Sequence, residues 1–148
     1  MLRRLAALLA GLWAGVLAAL AGIATPAAFA LLPRADAGRV AGRMLGVEAY
    51  LSLALALLLV FAERRRARDA AEAGRGSQLS VELMLVLGAL FCTVAGYFAV
   101  QPMMAAARAG QGDWSFGALH AVSSGFFALK GVLVLALAWR LSSPQTTS

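Results

Sequence analysis

The groups able to do chemistry in this chain are few: one histidine, one lysine, and a small set of arginines and acids among apolar residues. His120 sits in Phe116-Gly117-Ala118-Leu119-His120-Ala121-Val122-Ser123-Ser124. At about 100° per residue, a helix puts Phe116, His120, Ser123 and Ser124 on one face, so a ring, an imidazole and two hydroxyls point the same way. Arg39, Arg43, Gly46 and Tyr50 form another stripe, while Glu48 projects about 140° from Arg43, towards Met44 and Ser52. Thr93, Tyr97 and Gln101 recur every fourth residue on a third. These types suit a polar ligand or a buried ion pair. Hydrolytic chemistry finds no support, because one histidine and two well-separated intramembrane acids make neither a triad nor an acid–base pair. The chain has no phosphate-binding glycine loop and no zinc spacing. Met103 and Met104 offer thioethers of the kind that bind Cu(I), but no third sulfur or nearby histidine completes a site, and methionine is an ordinary filler of apolar gaps. The expectation is therefore no catalytic residue, no metal and no cofactor.

Hydrophobic residues make up 61% of the chain, mean hydropathy is +0.80 and only 14% of residues are charged. An average soluble domain carries roughly 25% charged residues, so this is the composition of a membrane protein. Four apolar runs come close to the roughly 20 residues that cross a hydrocarbon core. The fold expected is all-α, an integral membrane four-helix bundle forming one transmembrane domain over 1–148, with helices at about 5–32, 37–61, 80–101 and 116–139. Arg3 and Arg4 before the first run, and Ala28-Phe29-Ala30 after it, imitate a signal peptide. The run exceeds the roughly 7 to 15 apolar residues usual there, which favours a membrane span. Gly11 and Gly15 in helix 1, and Gly38, Gly42 and Gly46 in helix 2, have the four-residue spacing that lets backbones approach in lipid, within the bundle or in a homo-oligomer. Pro26 kinks helix 1 and Pro33 ends it; Asp36 is the N-cap of helix 2. A basic segment, 62–79, follows, with a helical extension to Glu72 and a turn at Gly74-Arg75-Gly76-Ser77. Helix 3 starts near Ser80 with Glu82 in its first turn and stops at Pro102. Trp114 and Trp139 bracket helix 4 as interfacial anchors, and a polar tail, 142–148, closes the chain.

Four crossings put both termini on one side, with Arg3, Arg4, Arg64, Arg65, Arg66, Arg68, Arg75 and Arg140; Arg34, Arg39, Arg43 and Arg108 lie opposite. The positive-inside rule makes the richer side cytoplasmic. Arginine-over-lysine usage and abundant alanine point to a GC-rich bacterial genome, hence an inner (plasma) membrane. The arginines lack the aromatic interleaving of single-strand binders, so the expected partner is the lipid bilayer and not nucleic acid. Helices 2 and 4 then run in the same direction. His120 is level with Arg43, and Lys130 comes within roughly two turns of Glu48. An outer-leaflet binding pocket of Arg39, Arg43, Gln101, His120, Ser123 and Ser124 follows, between helices 2 and 4, over an intramembrane pair of Glu48 and Lys130. A charge alone at mid-membrane costs at least about 2.5 to 3.5 kcal/mol, which favours the pairing.

Thr25-Pro26-Ala27-Ala28-Phe29, Ala37-Gly38-Arg39-Val40-Ala41-Gly42-Arg43-Met44-Leu45 with Tyr50, Gln101-Pro102-Met103-Met104 and Phe116-x-x-x-His120-x-x-Ser123-Ser124 together resemble the transmembrane protein 205-like family. Its bacterial members are catalogued as a domain of unknown function. The family pattern often has an asparagine where this chain has Phe127. The resemblance implies a four-helix integral membrane protein and no established chemistry; the eukaryotic relative is associated with tolerance to platinum drugs and with secretory traffic. Trp13-Ala14-Gly15 followed by Pro26 is similar, more faintly, to helix 1 of the copper-resistance D and haem-binding protoporphyrinogen oxidase families. Ala6 stands where those have a histidine. Three functions follow as expectations: a protein handling a small molecule or ion through the pocket, a structural or accessory protein whose polar groups only hold the bundle, or a haem or metal redox protein with His120 as ligand.

Overall fold

The computed structural model describes residues 1–74 and 79–143. Arg75, Gly76 and Ser77 of the expected turn, and the tail beyond Ser143, lie outside the described residues. Among those residues the chain is helical with no strand. Four helices are long and apolar enough to cross a membrane: α1 (Leu2–Leu31), α2 (Arg34–Glu72), α3 (Val81–Arg108) and α4 (Phe116–Ser142). The molecule is a multi-pass membrane four-helix bundle. Helix α1 packs on α2 and α4, and α3 on α2 and α4, so chain neighbours ring the bundle and α2 faces α4 across its diagonal. The start of α1 and the end of α4 meet at one end of the bundle, called here the terminal end, where Arg3 donates to the carbonyls of Arg140 and Ser143 and Arg140 Nε donates to Glu82 at 2.9 Å.

The core fills the terminal half. Ala6, Ala10, Trp13 and Leu17 of α1 meet Ala56 and Leu59 of α2, Val86 and Ala89 of α3, and Val134, Leu137 and Leu141 of α4. The three- and four-residue spacing keeps one seam of each helix facing inward. In lipid no hydrophobic drive holds helices together, so the alanines matter by letting backbones approach. Gly11 and Gly15 do not share this role. Both are exposed, and a Cβ on either would meet nothing within 4 Å, so they face out of the bundle and the inward seam belongs to the alanines and Trp13.

Two prolines shape the opposite end, the mouth. In α1 a π-helical turn, Leu20–Ala24, precedes the α-helical Thr25–Leu31, whose first turn holds Pro26. In α3 the π-helical Val94–Ala99 precedes Val100–Arg108, with Pro102 in its first turn. A first turn tolerates proline, since its missing N–H is one the turn does not use, and the wide π turn upstream absorbs the break in the ladder. Helix α3 therefore passes Pro102 and ends at Arg108, against the expected stop at Pro102. Gly110 and Gly112, with φ of 72° and 88°, then turn the chain back.

Other boundaries also move. Helix α2 starts at Arg34 behind Pro33, and Asp36 sits inside the first turn bonded to Arg39 instead of capping. Its 39 residues span about 58 Å, well beyond a hydrocarbon core of about 30 Å, and include the expected helical extension as far as Glu72. Ser80 and Ser115 cap α3 and α4 by accepting from the Leu83 and Ala118 N–H groups at 3.1 and 3.2 Å.

The half of the bundle towards the mouth is organised as two hairpins. Helix α1 stays packed on α2, and α3 on α4, along their whole length. Backbone packing between the hairpins is carried by Leu2–Ala19 against α4 and by Val81–Thr93 against α2, and among the described residues only the side chains of Tyr97 and Phe98, in the π turn of α3, still reach Gly46 and Tyr50 of α2. Beyond the π turns the hairpins diverge.

Candidate functional site

Glu48 and Lys130 close the floor of the gap. Each lies fourteen residues past the start of its helix, Arg34 for α2 and Phe116 for α4, so both sit about 21 Å deep and level with one another. The early start of α2 brings them closer in depth than an Asp36 cap allows. Lys130 Nζ lies 2.8 and 2.9 Å from the two Glu48 oxygens and 3.3 Å from Ser52 Oγ, so each of its three protons has an acceptor. Ser52 Oγ donates to Glu48 and accepts from Trp13 Nε1 at 2.8 Å. All four side chains are buried, and Lys130 also stands 5.1 Å above the Phe127 ring. Phe127 thus sets an apolar ring beside the pair on the cavity floor, where an asparagine would add polarity. The cluster ties α1, α2 and α4 at the bundle's centre.

Above it opens a cavity of about 830 Å³, bounded by both hairpins. Arg39, Gln101, His120, Ser123 and Ser124 line it together with Glu48 and Lys130. Arg43 does not, which corrects the expected pocket. The α2 lining centres on Gly38 and Leu45 with Arg39 at its edge, and at about 100° per residue Arg43 points roughly 140° from Gly38 and 160° from Leu45. Arg39, five residues into α2, is also the arginine level with His120, four residues into α4. The stripe of Gly46 and Tyr50 turns to α3 instead. A Cβ on Gly46 would lie 2.8 Å from the Tyr97 hydroxyl oxygen, and Tyr50 packs edge-on to Phe98 with centroids 5.3 Å apart.

The hydroxyl of Ser123 donates to the Gly96 carbonyl at 2.7 Å, inside the π turn of α3. At Gly96 α3 and α4 lie close together, since a Cβ there would clash with Phe126 Cβ. At the rim the His120 ring stacks on Phe116 with centroids 5.9 Å apart and planes 14° apart, and the Arg108 guanidinium lies 4.5 Å over the other ring partner, Phe116. Arg34, Arg108, Thr25 and Tyr97, outside the expected pocket, also line the cavity. Arg34 and Arg108 were legible only as topology signals; what puts them at the rim is the early start of α2 and the late end of α3.

The family described as Domain of unknown function (DUF4149) matches residues 8–113. The chain belongs to this family. The DUF4149 match takes in α1, α2, α3 and the turn after them, and hence the Glu48 side of the ion pair and Gln101; His120, Ser123, Ser124 and Lys130 lie beyond it on α4. No curated protein and no solved structure matches the chain. Among the described residues no group of three His, Cys, Asp or Glu side chains converges to hold a metal ion, and Met103 is exposed while Met104 is buried.

Proposed function

We propose that this protein handles a small molecule or ion in the cavity between its two hairpins, in the outer leaflet of a bacterial inner membrane, with both termini cytoplasmic. The observation that carries the reading is a large cavity into which Gln101, His120 and Ser124 bring polar groups that have no hydrogen-bond partner among the described residues, above a floor whose charges are already paired. Polar groups at membrane depth are costly unless matched, and so mark a site by default. The arginine distribution supports the orientation. The transmembrane protein 205-like resemblance supports the four-helix architecture and adds no chemistry. A homo-oligomer belongs to this reading, because four helices are small for a complete transporter and Gly11 and Gly15 face outward; native mass spectrometry that finds only monomers in mild detergent counts against it.

A structural or accessory role is the second reading, favoured by one feature: the Glu48–Lys130–Ser52–Trp13 cluster ties three helices and leaves no group free for a ligand. Cells lacking the protein separate the two readings. Their sensitivity to a panel of membrane-active compounds is compared after return of the wild type, His120→Ala or Gly42→Trp. Gly42 lines the cavity and a Cβ there meets nothing within 4 Å, so a side chain starts from it without a clash, and the indole is introduced to occupy the cavity. Rescue by the wild type alone, with all three proteins equally abundant and equally heat-stable, supports handling; equal rescue by all three supports the structural role. The redox reading, with His120 as axial ligand, predicts a Soret band or bound metal in the purified protein, and neither Ala6, buried in the core, nor another histidine supplies the second ligand.

A further inference from the structure

The chemistry of the cavity is one-sided. Among the described residues its only lining carboxylate is Glu48, and both oxygens of that group are held by Lys130 and Ser52. What remains is rich in donors: the guanidinium of Arg34, which has no partner among the described residues, that of Arg108 over Phe116, and the amide, imidazole and hydroxyl of Gln101, His120 and Ser124. Guanidinium and amide N–H groups in this arrangement call for an anionic acceptor, a phosphate or a carboxylate. Depth then sorts polarity. The arginines stand at the rim, while Leu20, Leu45 and Phe127 line the interior towards the floor, and a cavity of about 830 Å³ far exceeds one phosphate group. The complement is a head with an apolar body.

The walls differ in how they close. Between α2 and α3 the gap is bridged by Tyr97 against Gly46 and Phe98 against Tyr50. Between α1 and α4 no hydrogen bond or ring contact bridges the half near the mouth among the described residues, and His120 and Ser124 of α4 are exposed although they line the cavity. That flank opens to the bilayer.

We infer that the cavity binds a membrane amphiphile with a phosphate or carboxylate head, the head against the Arg34 and Arg108 rim and the apolar chain leaving sideways between α1 and α4. The inference rests on the ligand-handling reading above. Charge alone does not define the site, because Arg64 and Arg68 line a smaller cavity of about 300 Å³ at the terminal end and also attract acidic lipid.

The test is lipid retention by native mass spectrometry of the full chain in neutral detergent, with phosphatidylglycerol, phosphatidylcholine or inorganic phosphate added. Phosphatidylglycerol is expected to be retained about tenfold better than phosphatidylcholine, with inorganic phosphate unable to displace it. Gly42→Trp, and separately Arg34→Gln with Arg108→Gln at exposed positions, are each expected to lower retention about tenfold, while Arg64→Gln with Arg68→Gln leaves most of it. Equal retention of the two lipids overturns the inference, as does displacement by inorganic phosphate, which points to a small-anion site. Loss of binding only in the Arg64 and Arg68 variant overturns it as well, by moving the lipid to the terminal end. Should acidic lipid fail to bind while Gly42→Trp still abolishes rescue in cells, the ligand class is wrong and the handling function stands.

Discussion

Replacing Glu48 by Gln keeps the shape of the side chain and removes the charge facing Lys130. The lysine then holds a positive charge with side-chain exposure of 4%, hydrogen-bonded only to an amide oxygen and Ser52. Removing one partner of a buried ion pair costs about 3–5 kcal/mol, because the survivor is left uncompensated. Lys130→Met strands Glu48 in the same way. The double variant removes both charges and leaves the Trp13–Ser52 hydrogen bond in place, so it is expected to be more stable than either single variant. The coupling between the sites is then about 3 kcal/mol or more, above the maximum of about 1.7 kcal/mol measured for hydrogen bonds between helices in a membrane. That margin separates an ion pair from an ordinary polar contact. Unfolding by SDS in mixed micelles, followed by far-ultraviolet circular dichroism, gives the four free energies of the cycle. Additivity within about 0.5 kcal/mol would refute the pairing as an energetic unit.

Gly96→Ala forces a methyl onto Phe126 and should cost about 1–3 kcal/mol in the same assay, whereas Gly11→Ala on the open face should leave a monomer's stability unchanged. Trp13→Phe removes the donor to Ser52 and should cost about 1 kcal/mol, with indole fluorescence from Trp114 and Trp139 still reporting the unfolding. Arg140→Gln breaks a half-exposed pair with Glu82 and is expected to cost about 0–1 kcal/mol and to matter less in high salt. Cys92, the single cysteine, lines the cavity near its floor. A small neutral thiol reagent is expected to modify it in the folded protein, detected as a mass increase, and Gly42→Trp is expected to slow the reaction.

Hydropathy made the four crossings legible, and the shared direction of α2 and α4 put Glu48 and Lys130 at similar depth, where a charge favours a partner; their contact and the helix order were not legible. Rotation and register were less legible. Asp36 has the side chain of an N-cap, but Pro33 is already compatible with a helix start, and the three-residue difference exchanges Arg43 for Arg39 at the level of His120. Pro102 reads as a stop unless a π turn precedes it, and no local residue type announces that turn. The Gly11 and Gly15 spacing is the same whether the glycines face a neighbour or the lipid; only the alanine seam, set by three other helices, decides. The cavity is lined from all four helices, so it is a property of the assembled bundle and of no single segment.

The most direct test of the account is a crystal structure grown from a lipidic phase. It is expected to keep the Glu48–Lys130 pair at the floor, the space between α1 and α4 open on the mouth side of the π turns, and an elongated density running from Arg34 and His120 into that opening. Helices α1 and α4 packed against each other along their full length, with His120 and Ser124 bonded to protein and no space above Phe127, would contradict it.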